Sequence, residues 1–127
     1  MRVTDYLGGH VSTLLAEEPF NNWPFKRSIP DDPGEKAIYY TFGGHGLQLL
    51  CDADETIVSI FVLSEGPFSE VPFSSRREEV LERFGTPSKS GPKWDRFSRP
   101  HSTIHISYRA DADAIKLITL MHPDVVP

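Results

Sequence analysis

Residues 49–63 read LLCDADETIVSIFVL, and residues 106–120 read ISYRADADAIKLITL. The two stretches align without a gap at an offset of 57 positions (106 minus 49). Each contains an apolar segment, an acidic turn with an Ala-Asp pair, and a second apolar segment. Short apolar runs bounded by turn residues predict β-strands, and such short turns make consecutive strands antiparallel neighbours. The sequence therefore predicts two related β-hairpins.

Further strands are expected beside these hairpins, because β-prone runs end at nearby Gly, Pro and Asp residues. The third and sixth predicted strands are apolar at nearly every position, which favours central places in a sheet. The six predicted strands cover residues 37–42, 47–52, 56–63, 93–98, 103–109 and 114–121.

One helix is predicted before each group of strands. The first would begin at a cap on Thr4, carry apolar residues at helical spacing and end at Pro19. The second opens with a capping box in residues 75–78, and Gly85 followed by Pro87 terminates it. Both helices have an apolar stripe, so each is expected to pack on the sheet.

A helix followed by three strands thus occurs twice, over approximately residues 4–63 and 74–121 of a single domain spanning residues 1–127. Chains of this size can bury one core without disulfides or metals. We therefore predict an α+β fold. It would contain one antiparallel sheet of about six strands with two helices on one face, built from a duplicated α-β-β-β unit.

Charge and segment composition limit the possible partners and compartments. The chain has 13 Lys and Arg against 18 Asp and Glu, a net charge of -5, which argues against a nucleic-acid binder. Solubility alone also explains a modest negative charge. The first 18 residues lack the apolar region of a secretory signal, and no run approaches the roughly 20 apolar residues of a membrane span. A cytoplasmic protein with no membrane partner is expected.

The sequence contains no recognisable catalytic or metal-binding cluster. His101 and His105 are four positions apart, which on a strand is about 13 Å and too far for two ligands of one ion. Residues 43–46, Gly-Gly-His-Gly, precede a strand rather than a helix, which favours a turn over a phosphate loop. The single cysteine, Cys51, lies in an apolar strand and is interpreted as a core residue. We predict no catalytic residue, metal or cofactor.

Aromatic residues and acidic turns are the remaining candidates for function. Tryptophan and arginine dominate protein–protein hot spots, although aromatics also cap the cores of small domains. Trp94 and Arg96 alternate along one strand and should share a face, with Asp95 and Phe97 on the other. The predicted partner-binding residues are Trp23, Asp52, Asp54, Glu55, Trp94, Arg96, Asp111 and Asp113.

Residues 46–121 resemble a group of small bacterial proteins. The shared pieces are a hairpin, a Ser-Arg-x-x-Val-x-x-x-x-Gly-x-Pro helix, a Trp-Asp-Arg-aromatic strand and a closing hairpin ending in Thr-Leu-Met. Some members of this group are immunity proteins encoded beside secreted polymorphic toxins. The helix and meander are also similar to β-lactamase-inhibitor-type folds and outer-membrane assembly lipoproteins. The missing signal peptide and lipobox cysteine count against the lipoproteins.

The resemblance implies a non-enzymatic protein-binding module. Its most concrete form is a cytosolic immunity protein that neutralises an antibacterial toxin by covering the active site. An acidic blocker would suit a toxin with a basic substrate groove, such as a nuclease. The alternative is a small-molecule-binding or enzymatic domain with a pocket between the sheet and the loop of residues 20–36, lined by His45, His101 or His105. A homodimer that pairs through the sheet is a third possibility.

Overall fold

A computed structural model describes residues 3–31, 36–110 and 114–125 of the chain. Its main feature is one antiparallel sheet of eight strands. The strands are β1 (Lys26–Ser28), β2 (Ile38–Phe42), β3 (Leu47–Cys51), β4 (Ile57–Val62), β5 (Lys89–Gly91), β6 (Trp94–Ser98), β7 (Thr103–Tyr108) and β8 (Ile115–Met121).

The strands lie in the order β1-β2-β3-β4-β8-β7-β6-β5. Each half of the chain therefore forms a four-stranded meander, and the meanders meet where β4 pairs with β8. In this pairing Ser59 lies opposite Met121 and Val62 opposite Ile118. The central places expected for the third and sixth predicted strands are confirmed, because these are β4 and β8.

The predicted six-stranded sheet with two helices on one face, from a duplicated α-β-β-β unit, is wrong. The sheet has eight strands and the helices are short. The two unpredicted strands, β1 and β5, are the edges of the sheet and have only three residues each. Their residues are mostly exposed and polar, so they have no apolar alternation by which a sequence pattern could reveal them.

The two helices are α1 (Val11–Leu15) and α2 (Arg77–Phe84). The predicted start of the first helix at Thr4 is wrong. Gly8 has a φ of +84°, which interrupts helical geometry, and residues 3–6 form a separate 3-10 turn. His10 caps α1 instead, since its Nδ1 accepts the Ser12 N–H at 3.1 Å.

Helix α2 begins one residue later than the predicted capping box of residues 75–78 implies. Its N-cap is Arg76, whose backbone N–H donates to the Glu79 carboxylate at 3.0 Å. The helix ends before Gly85, as predicted. Both N-cap residues also bridge to the central hairpins, His10 to Thr56 and Arg76 to Ala114. Each helix is thus fixed to the sheet at its first residue.

The side chains of the sheet point alternately to two faces. The face that we call the covered face carries most of the apolar core, and the described segments beside the sheet pack there. The ring centroid of Phe20, just after α1, lies 6.0 Å from that of Phe42. The ring centroid of Phe84 in α2 lies 5.2 Å from that of Phe97. Its fully buried members include Leu49, Ile60, Ile104, Ile106, Ile118 and Leu120.

Within the described part of the chain, neither helix has the length and apolar character needed to cross a bilayer.

Candidate functional site

The contacts of Phe20, Arg77 and Phe84 with the sheet lie on the covered face, and we call the second face the open face. Strand alternation and register place a mixed set of polar, apolar and aromatic side chains on it. Many of them are half-buried, so they are positioned by their neighbours and remain accessible to a partner, whereas Ser59, Thr103, Thr119 and Met121 near the centre are buried. The half-buried side chains include Tyr39, Gln48, Leu50, Phe61, Trp94, Arg96, His105, Ser107 and Leu117.

Three side chains on β6 and β7 form a stack on the open face, which we call the Trp94 cluster: Trp94, Arg96 and His105. The ring centroids of Trp94 and His105 lie 5.0 Å apart at an interplanar angle of 23°. The guanidinium carbon of Arg96 lies 5.3 Å from the Trp94 ring centroid, within cation–π range. Arg96 and His105 are also direct cross-strand neighbours. The prediction that Trp94 and Arg96 share a face is confirmed.

The surroundings of His105 favour its neutral imidazole form. Arg96 Nε donates to His105 Nδ1 at 3.3 Å, which assigns the ring proton to Nε2. Burial lowers the pKa of His105, and the nearby positive charge of Arg96 lowers it further. The cluster therefore carries one fixed positive charge on Arg96 beside two stacked aromatic rings.

Gly91 on the edge strand β5 positions the indole. Gly91 lies opposite Trp94 in the antiparallel register. A Cβ atom on Gly91 would lie 2.0 Å from Trp94 Nε1 and 2.4 Å from Cε2, so any other residue would collide with the ring. The indole therefore lies flat against the β5 backbone, and this contact fixes its orientation on the open face.

Trp23 lies on the covered face, far from this cluster. Its ring centroid is 5.5 Å from that of Phe20 and 5.9 Å from that of Phe42. It also stacks on His45 at 3.7 Å with an interplanar angle of 9°. Trp23 packs against the core cluster, which favours the alternative that this aromatic residue caps the core over its predicted role as a partner contact.

In the acidic turn between β3 and β4, the Asp52 side chain forms hydrogen bonds within the turn itself. One carboxylate oxygen of Asp52 accepts the N–H groups of Asp54 at 3.0 Å and Thr56 at 2.9 Å. This is the local bonding that favours aspartate in turns. Asp52 therefore shapes the hairpin.

Glu55, in the same turn, is bonded to the covered face. Its carboxylate accepts hydrogen bonds from the Tyr40 hydroxyl and from Arg27 Nε, the latter at 3.0 Å. Arg27 Nη2 lies 2.9 Å from the same oxygen. The bonds from Tyr40 and Arg27 hold the pKa of Glu55 below its ordinary value.

Asp111 and Asp113, the remaining predicted contacts, lie outside the described residues. β7 ends and β8 begins at one end of the strands. The turn of residues 52–56, which precedes β4, lies at the other end, because β8 runs antiparallel to β4. The structure therefore brings Trp94 and Arg96 together and separates them from Trp23 and from the turn that contains Asp52, Asp54 and Glu55.

A buried polar network connects α2 to the covered face, and the sequence analysis did not identify it. Asp95 is 1% exposed and accepts hydrogen bonds from Arg77 Nε and Nη2, both at 2.9 Å. Ser90 and the Tyr108 hydroxyl donate to it at 2.7 and 2.9 Å. The available signal was the alternation of Asp95 with Phe97, which placed the carboxylate on the apolar side.

Burial alone would raise the pKa of Asp95. The hydrogen bonds from Arg77, Ser90 and Tyr108 outweigh burial and hold its pKa below the ordinary value. Arg77 also donates to the backbone carbonyls of Gly91, Pro92 and Trp94. The network therefore holds the turn between β5 and β6 in place beneath the Trp94 cluster.

The other candidate chemical groups lie apart from one another. Cys51 is 1% exposed, and burial, followed by the charges of Glu55 and Asp52, raises its pKa to about 11. This confirms its interpretation as a core residue. Residues 43–46 form a turn between β2 and β3, as predicted. Over the described ranges, no group of three His, Cys, Asp or Glu side chains is arranged to hold a metal ion.

Among the surface cavities lined by described residues, three have volumes of about 320 to 370 Å³. One is next to α2, one is in the loop of residues 65–72, and one lies between the first turn and residues 100–101 and 122–123. The last includes His101, but none of the three is lined by a residue of the 20–36 loop. The predicted pocket between that loop and the sheet stays a prediction, because residues 32–35 of the loop lie outside the described residues.

Comparison with known proteins identifies the fold alone. No family model and no curated protein sequence matches the chain. One solved structure does, that of an extracellular protein containing an SCP domain from Bacillus anthracis str. Ames. The TM-score is 0.71 at 11% sequence identity, and the match covers 98% of this chain. It covers only 46% of that protein, so this chain spans about half its length.

Proposed function

We propose that this protein is a non-enzymatic binding module that recognises another protein with the open face of its sheet. The observation that carries the proposal is the Trp94 cluster, in which an indole, an imidazole and a guanidinium stack on a regular sheet. In its most concrete form the module is a cytoplasmic immunity protein. It would neutralise a cognate antibacterial toxin by covering its active site.

Two properties of the open face support protein binding. Its residue types, Trp, Arg and Tyr, are those that supply most of the binding energy in protein interfaces. Its side chains are positioned on strands and are already partly desolvated, so ordering them on binding costs little entropy. Gly91 and the Asp95 network beneath the cluster add rigidity to one half of the face.

We revise the predicted contact set. Trp23 packs against the core, and Asp52 and Glu55 form their hydrogen bonds within the turn and to covered-face side chains. We therefore place the partner contacts on Trp94 and Arg96, and add His105 and the aromatic residues Tyr39 and Phe61. An acidic turn inserted into a basic nuclease groove is a weaker candidate than the open face of the sheet.

Co-expression tests this proposal. A toxin domain encoded next to this protein is expressed in a susceptible strain with the wild-type chain, with Trp94→Ala, or with Glu82→Ala on the exposed side of α2. We expect the wild type and Glu82→Ala to restore growth. Trp94→Ala should weaken the purified complex by about 30-fold or more, the loss expected for a hot-spot residue.

Thermal unfolding of each variant shows whether a loss of protection reflects a loss of folding. The proposal is wrong if Trp94→Ala and Glu82→Ala protect equally well, or if the purified chain turns over a substrate. A complex with the toxin that leaves the open face accessible would also contradict it.

A further inference from the structure

The two edge strands of the sheet have different surroundings. An edge strand bonds to one neighbour only, so the backbone groups on its outer side are available to a further strand. At the β5 edge, Arg77 of α2 donates to the carbonyl oxygens of Gly91 and Pro92. A side chain of the same molecule thus occupies part of that edge. At the other edge, all three residues of β1 are exposed.

Two exposed apolar side chains flank β1. Phe25 directly precedes the strand and is 46% exposed, and Ile29 directly follows it and is 57% exposed. Among the described residues, Leu63 is the one other large apolar side chain with such exposure. The Phe25 ring lies 5.6 Å from the Tyr40 ring, so it is positioned on the sheet while much of its surface faces solvent. A strand added to β1 would cover both apolar side chains as its backbone pairs.

Lys26 determines which charge such a strand would favour. Lys26 is exposed and forms no ion pair within the described part of the chain. The charge of the neighbouring Arg27 is offset by Glu55, which lies 2.9 Å away. Opposite charges directly across a ladder stabilise it, and like charges destabilise it. An Asp or Glu opposite Lys26 would therefore favour the addition of a strand.

A second copy of this chain fits the β1 edge less well than an acidic strand. In a symmetric antiparallel pairing of two β1 strands centred on Arg27, the two Arg27 residues would lie opposite each other. Short edge strands that carry lysine are also a common protection against self-pairing. The basic residues that oppose a second copy favour a partner of opposite charge.

We infer that β1 is a second binding surface, to which an extended segment of another protein adds as a further strand. The segment has an acidic residue opposite Lys26 and apolar residues opposite Phe25 and Ile29. Main-chain hydrogen bonds along the edge supply affinity, and these three side chains select the segment. The β1 edge lies at the other end of the sheet from the Trp94 cluster, so this interaction goes beyond the function proposed for the open face.

Short blocked peptides test the inference without knowledge of the partner. Three peptides read Val-Thr-Thr-x-Val, with Glu, Gln or Lys at x. In antiparallel pairing x lies opposite Lys26, and the two valines lie opposite Phe25 and Ile29. Each peptide is titrated at low ionic strength into the isotope-labelled full chain, and amide shifts are followed by NMR. We expect the Glu peptide to shift the amides of residues 25–29 and to bind about fivefold more tightly than the Lys peptide, with the Gln peptide between them.

Substitutions at both edges supply the matched controls. Lys26→Glu should reverse the order of the Glu and Lys peptides. Lys89→Glu, the same change on the exposed part of β5, should leave the order unchanged. Ile29→Ser should weaken all three peptides and keep their order, because it removes apolar contact alone. The inference is overturned if no peptide shifts the amides of residues 25–29, if the Glu and Lys peptides bind equally, or if Lys89→Glu changes the order as Lys26→Glu does.

Sedimentation of the chain alone tests the competing occupant. We expect a monomer, and a dimer that Ile29→Lys dissociates would make the occupant a second copy and overturn the inference. The result is also separable from that of the co-expression test. Trp94→Ala should leave peptide binding at β1 unchanged, so either surface can fail without the other.

Discussion

The two halves of the molecule use the same three kinds of side chain in different ways. In the first half, Arg27 and Tyr40 bond to Glu55 at the edge of the sheet, where Arg27 is 44% exposed. In the second half, Arg77 and Tyr108 bond to Asp95, which is buried. In both, the arginine also lies near the tyrosine ring, at 5.9 and 5.4 Å. Water can replace the hydrogen bonds to the partly exposed Glu55 but not those to the buried Asp95. The second half of the sheet is therefore the more rigid.

The largest difference is expected from removing the two arginines. Arg77→Met leaves the Asp95 carboxylate buried without its cation, which should cost about 3–5 kcal/mol of the free energy of unfolding. Arg27→Met, the matched change in the first half, should cost only a small fraction of this because Glu55 remains accessible to water. Urea unfolding of both variants provides the measurement. Equal losses would show that burial does not distinguish the set of Arg27, Tyr40 and Glu55 from the set of Arg77, Tyr108 and Asp95.

A smaller loss is expected at the β5 edge. Gly91→Ala places a methyl group against the Trp94 indole and should cost about 1–3 kcal/mol, as other overpacking substitutions do. It should also move the indole, which near-ultraviolet circular dichroism and fluorescence in a Trp23→Phe background would detect. Gly44→Ala in the first half, where a Cβ would meet nothing within 4 Å, is the control. An unchanged Trp94 signal in Gly91→Ala would contradict the role of this glycine.

The contributions of the two sets of hydrogen-bonded side chains to stability should also respond differently to acid. The folded-state pKa of Asp95 is lowered, so its contribution to stability is present above the unfolded pKa of about 3.9. The contribution is lost as the pH falls below that value and through the folded pKa. The stability gap between the wild type and Asp95→Asn should therefore be constant near neutral pH and narrow below about pH 4. Urea unfolding between pH 2.5 and 7, values chosen to span about one pH unit or more on each side, would show this.

Glu55→Gln is the comparison for the acid experiment. The pKa of Glu55 is lowered too, so the sign is the same, but its exposure should make the gap smaller at every pH. A gap for Glu55→Gln as large as that for Asp95→Asn would contradict the difference between the halves.

The smallest expected effect concerns Cys51, which occupies the position of Tyr108 at the 57-residue offset. Its pKa of about 11 leaves little thiolate near pH 8. A thiol reagent should therefore label the folded chain at least about 100-fold more slowly than the unfolded chain in urea, because reactivity follows thiolate and access. The labelling rate with a chromogenic disulfide measures this, and Cys51→Ser is the blank. Rapid labelling of the folded chain would mean that the covered face opens readily.

Sequence reasoning located most of the sheet. Six predicted strands agree with observed strands to within one residue at each end, because their apolar runs are bounded by turn residues. The edge strands β1 and β5 were missed because three exposed residues carry no hydrophobic pattern. The first helix begins later than predicted, because the positive φ at Gly8 interrupts the predicted helix before Val11.

The candidate site was predicted only in part, for a related reason. The alternation of Trp94 with Arg96 is local, so it correctly predicted their shared face. His105 joins them through the register between β6 and β7, and Asp95 meets Arg77 across 18 positions. Trp23 was included because aromatic content alone does not distinguish a core cap from a contact surface. Contacts between distant segments depend on tertiary structure, which a single sequence pattern does not contain.

The strand order has a consequence for how the chain reaches its fold. Of the seven neighbouring strand pairs, six join strands that are consecutive in the chain, and only β4 with β8 joins distant ones. Contacts between nearby residues form with little loss of loop entropy and favour rapid folding, even in sheet proteins. Each meander can therefore assemble by successive hairpins, and the central pairing that joins them is expected to form last.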